Sequence, residues 1–407
     1  MKNFKNIVVK LVLSLMLFVT ILRSQETFEK IINLGGRSYG TCIQQLQSGD
    51  YILTGSIEAH GGIGAHDDIL VAKINAFGDT LWTTSIVLPY WDGGNAIQQT
   101  SDGGFILSAY TNAGAGGMDI YLSKLDSNGN GTWNKIYHWI FYQNLFTLKQ
   151  TSDGGFLLAG IRDTCGLLFK VNQNGDSVWS RSICETYLFS DLQLTTDGGY
   201  ILAGQTHSGY AFLLKTDSLG ETLWSKIDSE NNIGSARSIK QTSDGGYIVT
   251  GYTSNCNGCS SDIPLIKFTS SGAVEWRKVF GGATTSEEAF FVGQTSNGGY
   301  IIMGKAYFQS EYVYIIKTNS QGDSLWTRAF GEHGRQTEGI AGQITLDGGI
   351  IITGQADSKL YLLKLNGDVV LDVDDHLAET PKQINLYQNY PNPFNPTTEL
   401  SFVINHR

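Results

Sequence analysis

Short apolar runs separated by glycine turns recur from Phe28 to Leu365, and their spacing predicts strands throughout. In one representative unit the runs are Asn95–Thr100, Phe105–Tyr110, Asp119–Asp126 and Thr132–Tyr137. The first two are joined by Asp-Gly-Gly and the last two by a tight turn holding Asn128-Gly129. Both are hairpin signals, because glycine takes the positive φ that such turns require. The middle runs of each unit are apolar on both faces, as at Leu213-Leu214, Ile315-Ile316 and Leu362-Leu363. A strand apolar on both faces belongs in a sheet covered on both sides.

The unit repeats seven times. Ser-Asp-Gly-Gly-aromatic, or a close variant, stands at Asp102, Asp153, Asp197, Asp244, Asn297 and Asp347, with a degraded copy from Ser48. Successive copies are 54, 51, 44, 47, 53 and 50 residues apart. Each carries a lysine in its third run (Lys73, Lys124, Lys170, Lys215, Lys267, Lys317, Lys364), and six add a tryptophan nine residues later. From the turn to the small residue ending the second run is always seven (Gly55, Ala109, Gly160, Gly204, Gly251, Gly304, Gly354). From there to the lysine the count varies between 10 and 18, so insertions concentrate in the connection between the second and third strands.

Four antiparallel strands per repeat of about 50 residues predict an all-β, seven-bladed β-propeller. The seventh copy lacks its tryptophan, whereas Phe28-Glu29-Lys30-Ile31-Ile32 matches Trp276-Arg277-Lys278-Val279-Phe280. The N-terminal segment is therefore expected to supply the last outer strand and close the ring, removing free sheet edges. The sevenfold Asp, Lys and Trp read as scaffold, since an active site needs one asymmetric constellation. The Asp is expected to bond turn amides and the Lys stem to cover the Trp ring opposite it.

Composition narrows the function. Glycine is 49 of 407 residues, proline only 6, and the net charge is −10. An acidic chain without a basic face is a poor nucleic-acid partner. Lys2, Lys5 and Lys10 precede an apolar stretch from Leu11 to Leu22, the pattern of a signal peptide over 1–24. Its removal takes the charge to −14, because it holds four basic and no acidic residues. Nothing later is long and apolar enough to cross a membrane. The expected order is signal peptide 1–24, propeller 25–370, acidic linker 371–385 and a tail 386–407.

Two resemblances follow from the motifs. Asp217-Ser218-Leu219-Gly220-Glu221-Thr222-Leu223-Trp224 resembles the tryptophan-docking repeat of quinoprotein propellers. Quinoprotein dehydrogenases use eight blades and adjacent cysteines, which this chain lacks, so the resemblance implies a packing tryptophan and no cofactor. Leu386-Tyr387-Gln388-Asn389-Tyr390-Pro391-Asn392-Pro393-Phe394-Asn395-Pro396-Thr397-Thr398 resembles the opening of the C-terminal sorting domain of type IX secretion substrates. That resemblance implies the type IX machinery as a partner and a secreted or cell-surface location. Such domains continue for several strands, while this sequence stops at Arg407 with one strand expected, a truncated sorting domain.

Single-copy features are the candidate sites. The longest variable loop, Ile57–Asp67, holds Glu58, His60, His66 and Asp67; these could gather a metal, but a solvated loop is the favoured reading and no metal site is assigned. Trp91, and Trp139 and Tyr142 within His138–Tyr142, could stack on sugars or proteins, or pack blade against blade. No catalytic residue is assigned. In the third copy a two-residue turn at Asn174-Gly175 would set Cys165 opposite Cys184, within bridging reach. A bulged turn would shift that pairing. Cys256 and Cys259 could bridge locally, leaving Cys42 buried on a first strand. These features point to a monomeric, non-catalytic propeller binding a polysaccharide or protein through its variable loops. The rival reading is an extracellular glycoside hydrolase with carboxylates at the channel mouth.

Overall fold

The computed structural model describes residues 27–367 apart from 59–65, 90, 115–116, 140–141, 229–232, 254–260, 283–284, 308–309 and 332–334. In the tail it describes 384–386, 390–395, 397–399 and 402–404. The signal segment 1–24, His60, Cys256 and Cys259 lie outside the described residues. The chain divides into two units, Met1–Val370 and Leu371–Arg407.

The first unit is a seven-bladed β-propeller, each blade a four-stranded antiparallel sheet in sequence order. Blade 1 comprises Ser38–Gln45, Tyr51–Glu58, Asp67–Ile74 and Thr80–Ile86. Blade 7 comprises Thr337–Ile344, Ile350–Ala356 and Lys359–Leu365, completed by Phe28–Ile32 from the N-terminal end. That closing strand pairs from Phe28↔Lys364 to Ile32↔Leu360. In blade 2 the strands run slightly further than the apolar runs, as Asp92–Gln99, Phe105–Gly114, Gly117–Leu125 and Gly131–Tyr137.

The apolar middle strands make seven cores, one for each junction between blades. Ile248, Ile263 and Leu265 of blade 5, for example, pack on Val292, Tyr300 and Ile302 of blade 6. Across the closure, Leu53, Leu70 and Ala72 of blade 1 pack on Ile351, Leu360 and Leu362 of blade 7, with Phe28 and Ile32 against them. Fully burying each large side chain contributes roughly 1.5–3 kcal/mol, so the closure core holds as the others do.

The invariant spacing to the small residue has a steric cause. Every first strand carries a bulge, and at its level a Cβ on the second strand would strike a first-strand carbonyl. On Gly55 it would collide with the Tyr39 oxygen and on Gly354 with that of Glu338. In six blades glycine is what admits the bulge; in blade 2 the second strand carries Ala109, and the first-strand residue opposite it is Gly94.

One expectation about the repeated residues is corrected. Lysine and tryptophan do stand opposite each other, as at Lys215↔Trp224, but the lysine does not cover the ring. Its ammonium crosses to the first hairpin, where Lys215 Nζ lies 3.0 Å from Asp197 and donates to the Thr216 carbonyl. A buried cation gains more from a carboxylate than from a ring face. The Asp also accepts from the Gly199 amide and the Thr195 hydroxyl, as expected of a turn cap. The tryptophan instead covers the outer-turn glycine of the following blade: Trp179 on Gly220, Trp276 on Gly322. A Cβ on Gly220 would lie 2.7 Å from the Trp179 ring. Phe28 occupies the same place over Gly78, so the closing strand reproduces the tryptophan's role.

The outer turns are also not two-residue turns. In blade 3 the Gly175 amide donates to Asn172 O with Gly175 at φ 77°, a type I turn followed by a left-handed glycine. A further bulge between Lys170 and Val171 restores the register outward, giving Lys170↔Trp179 and Gly166↔Ile183. The two irregularities cancel. In the tail unit, Ile384–Leu386 pairs with Phe402–Ile404 and Tyr390–Asn395 with Thr397–Glu399, so the described tail forms two strand pairs, the second nested in sequence within the first, rather than a single strand.

Candidate functional site

Strand alternation sends both hairpins of every blade to one face. The connections between second and third strands, and between blades, emerge on the other. His66 precedes the third strand of blade 1, Trp91 and Tyr142 precede the first strands of blades 2 and 3, and Trp139 follows the fourth strand of blade 2. All four therefore belong to the loop face. His66 meets the edge of Trp91 at 5.5 Å between ring centroids. Trp91 and Tyr142 keep 46% and 41% of their surface exposed. Trp139 is the packing case: it sits edge-on to Phe169, with the Arg162 guanidinium 4.6 Å from its ring. Tyr187 and Tyr307 are further exposed aromatics of this face that the sequence reading passed over. Tyr187 stands just before the blade 4 first strand, as Trp91 and Tyr142 do in theirs, and that alignment could have found it.

Cys165 and Cys184 lie at the loop-face ends of the outer strands of blade 3. They form a disulfide with Cα atoms 4.3 Å apart. Glu58 and Asp67 pair across the neck of the long loop, and both accept from Arg37. No group of three metal-ligating side chains occurs among the described residues.

The first strands of all seven blades surround a central cavity of about 480 Å³. The bulges turn one residue per blade into it. Phe146, Phe290 and Ile340 are apolar, while Thr41, Asn95, Ser190 and Arg237 are polar. Thr41 donates to Gly94 O and Asn95 to Asn144 Oδ1, tying blade to blade. The Ser190 hydroxyl and Arg237 Nε are buried without a hydrogen-bond partner among the described residues. Cys42 corrects another expectation: it is only partly buried and lines the cavity, donating weakly to Ile97 O. Burial pushes its thiol up from the ordinary value.

Three residues beyond the bulge, a glutamine links four of the blades to the next. Gln343, Gln44, Gln98 and Gln193 accept from the backbone amides of Gln45, Gln99, Gln150 and Gln241. Blades 3 and 5 carry Lys149 and Lys240 at this position and blade 6 carries Gly293. Between the two lysines, blade 4 contributes Asp191. Its Oδ2 accepts from Lys240 Nζ at 2.6 Å, Ser238 Oγ at 3.0 Å and the Ile239 amide at 3.0 Å. Burial pushes the Asp191 carboxyl up, but Lys240, Lys149 and these hydrogen bonds outweigh it and hold it below the usual range. Lys149 has no ion-pair or hydrogen-bond partner within reach among the described residues. Burial, then repulsion from Lys240, holds its ammonium below the ordinary lysine range, with Asp191 acting against both. The cavity wall thus sets Lys149, Arg237 and Lys240 against one carboxylate.

Two further sets of carboxylates stand out among the described residues of the loop face. Asp92 is pushed up to about 6, chiefly by burial, yet it is fully enclosed and cannot reach a sugar. Glu311 and Glu338 flank one ammonium, with Lys305 Nζ 3.4 and 3.1 Å from them. A retaining glycosidase holds its carboxyl groups about 5–5.5 Å apart around a substrate, whereas these close on a lysine.

No family model and no curated protein matches the chain. Solved structures do. The WD40 domain of Neurospora crassa Pan2 superposes with TM-score 0.54 at 12% identity, over 80% of this chain and 89% of that one. YCF48 bound to D1 peptide superposes with TM-score 0.53 at 10% identity, over 83% and 96%. BBS1N in complex with ARL6DN gives TM-score 0.50 at 11% identity, over 84% and 97%. At these identities the likeness is one of fold, the β-propeller. No helix among the described residues is long and apolar enough to cross a membrane.

Proposed function

We propose that this chain is an exported, non-catalytic propeller that holds a protein partner on its loop face, around the mouth of the channel. The observation that carries the reading is the division of labour between faces. Hairpin-face residues repeat blade by blade in turn caps and lysine bridges, whereas the loop face varies in length and exposes Trp91, Tyr142, Tyr187 and Tyr307. Such aromatics, amphipathic and rigid, are favoured anchors in protein interfaces. Fold neighbours held in complexes with a peptide or a protein, YCF48 and BBS1N, favour a polypeptide over a polysaccharide. The signal-peptide pattern and the sorting-domain resemblance favour a secreted or surface location reached through the type IX machinery.

The test incubates the chain with a glycan array, assays reducing-sugar release, and crosslinks it to the surface of intact cells of its source for mass spectrometry. The expected result is crosslinks to a protein with no glycan retention and no sugar release. Saturable glycan binding or sugar release would overturn the reading.

A further inference from the structure

We propose that the channel is a carboxylate-binding site, formed by Lys149, Ser190 and Arg237, that takes the C-terminal end of an extended polypeptide; this rests on the reading of the loop face as protein-binding.

The argument begins with what the repeat gives up. At the latch position four blades use glutamine to bind the next blade's backbone, and in blades 3 and 5 that link is replaced by a half-buried lysine that lines the channel. Lys240 recovers its cost through Asp191. Lys149 does not, because Asp191 is already engaged by Lys240, Ser238 and the Ile239 amide. A half-buried ammonium without a partner on a channel wall gains from an anion that meets it. Arg237 adds a second uncompensated cation, held over the Tyr252 ring at 5.4 Å, and Ser190 adds an unused hydroxyl. Three cations against one carboxylate leave the lining two charges positive, in a chain whose net charge is −10.

The shape and the remaining wall select among anions. The channel is lined by the first strands of all seven blades and holds about 480 Å³, and Cys42, Lys149 and Asp191 from blades 1, 3 and 4 line that same space. A single extended chain end fits such an opening. A guanidinium fork matches a carboxylate in two parallel hydrogen bonds, with the ammonium as a second point of charge. Phe146, Phe290 and Ile340 form an apolar arc in the same ring. An arc of this kind suits an apolar side chain next to a terminal carboxylate, and leaves the hydroxyls of an acidic sugar without partners.

The test uses an array of random dodecapeptides displayed with free C-terminal carboxylates beside amidated copies of the same sequences. The expected result is a bound set that weakens at least tenfold on amidation. Lys149→Met and Arg237→Met should each remove that preference. Lys149→Gln restores the repeat's own residue, facing the Leu194 amide, and should abolish carboxylate preference while melting no lower than the parent. Equal binding of free and amidated peptides, or an unchanged preference in these variants, would overturn the channel site while leaving the protein-binding reading standing. Retention of no peptide in either form would overturn both.

Discussion

Removing residues 27–34 takes away the outer strand of blade 7 and the aromatic ring over Gly78. Phe28 and Ile32 are each half-buried against the closure core. At roughly 1.5–3 kcal/mol for a fully buried side chain, the two together contribute about 2–3 kcal/mol. The five-residue ladder to Lys359–Leu365 and the hydrogen bond from Tyr361 to Glu29 add to this. Ordering the strand costs a similar amount, about 1–2 kcal/mol per residue, so the side chains set the net value near 3 kcal/mol. In a domain this large that is a fall in Tm of about 4 °C. The third strand of blade 7 would also become a free edge, and the protein should begin to self-associate. Differential scanning calorimetry with light scattering reads both effects. A peptide of residues 25–36 added in trans should restore the melting temperature, and Phe28→Trp should match or exceed the parent because it installs the residue used in the other blades. A deletion variant that melts within 1 °C of the parent and elutes as a monomer would refute the closure argument.

Three further outcomes are expected. Asp197→Ala strands the Lys215 ammonium, whose side chain is 3% exposed, and should cost about 3 kcal/mol in urea unfolding, whereas Lys215→Met, which removes the charge itself, should cost less. Stability should fall on both sides of mildly acidic pH. Asp102 and Asp197 are held at about 2, chiefly by the Thr100 and Thr195 hydroxyls; in Asp153 and Asp244 burial pushes up, but the threonine, lysine and turn-amide bonds outweigh it to the same value. Their contribution is present above an ordinary carboxylate value and lost as pH drops toward 2. Asp92, raised to about 6 by burial, acts in reverse: its cost builds as pH rises from the ordinary carboxylate value to about 6 and is constant above it, so Asp92→Asn should flatten that stretch of a melting-temperature profile. Reducing Cys165–Cys184, which closes a sequence separation of 19, should cost about 3 kcal/mol by loop entropy, read as a loss in urea midpoint on adding dithiothreitol.

The blades, their number and the closing strand were legible because repetition multiplies a weak signal. Seven copies of one interval expose a rule that a single hairpin would not. The role of Gly55 and its counterparts was visible only as smallness; the bulge that demands it is a pairing irregularity that periodicity cannot show. The lysine's partner was misassigned for a related reason. Register sets Lys215 opposite Trp224, but a long side chain reaches past its cross-strand neighbour to a carboxylate on the far hairpin. The channel residues were the largest omission. Lys149 and Lys240 sit inside the repeat where four other blades hold glutamine, and Asp191 sits at a position where the other blades hold only uncharged residues. An alignment of the seven first strands would have marked them as departures from the scaffold.

The measurement that tests the binding-face claim most directly is site-specific photocrosslinking in cells of the source. A photoreactive residue is placed at Trp91, Tyr142 or Tyr307 on the loop face. In parallel it is placed at Phe77, Leu219 or Leu346, which are exposed on the hairpin face. The account predicts discrete protein adducts from the first three positions and none from the second three. Adducts confined to Phe77, Leu219 and Leu346 would contradict it.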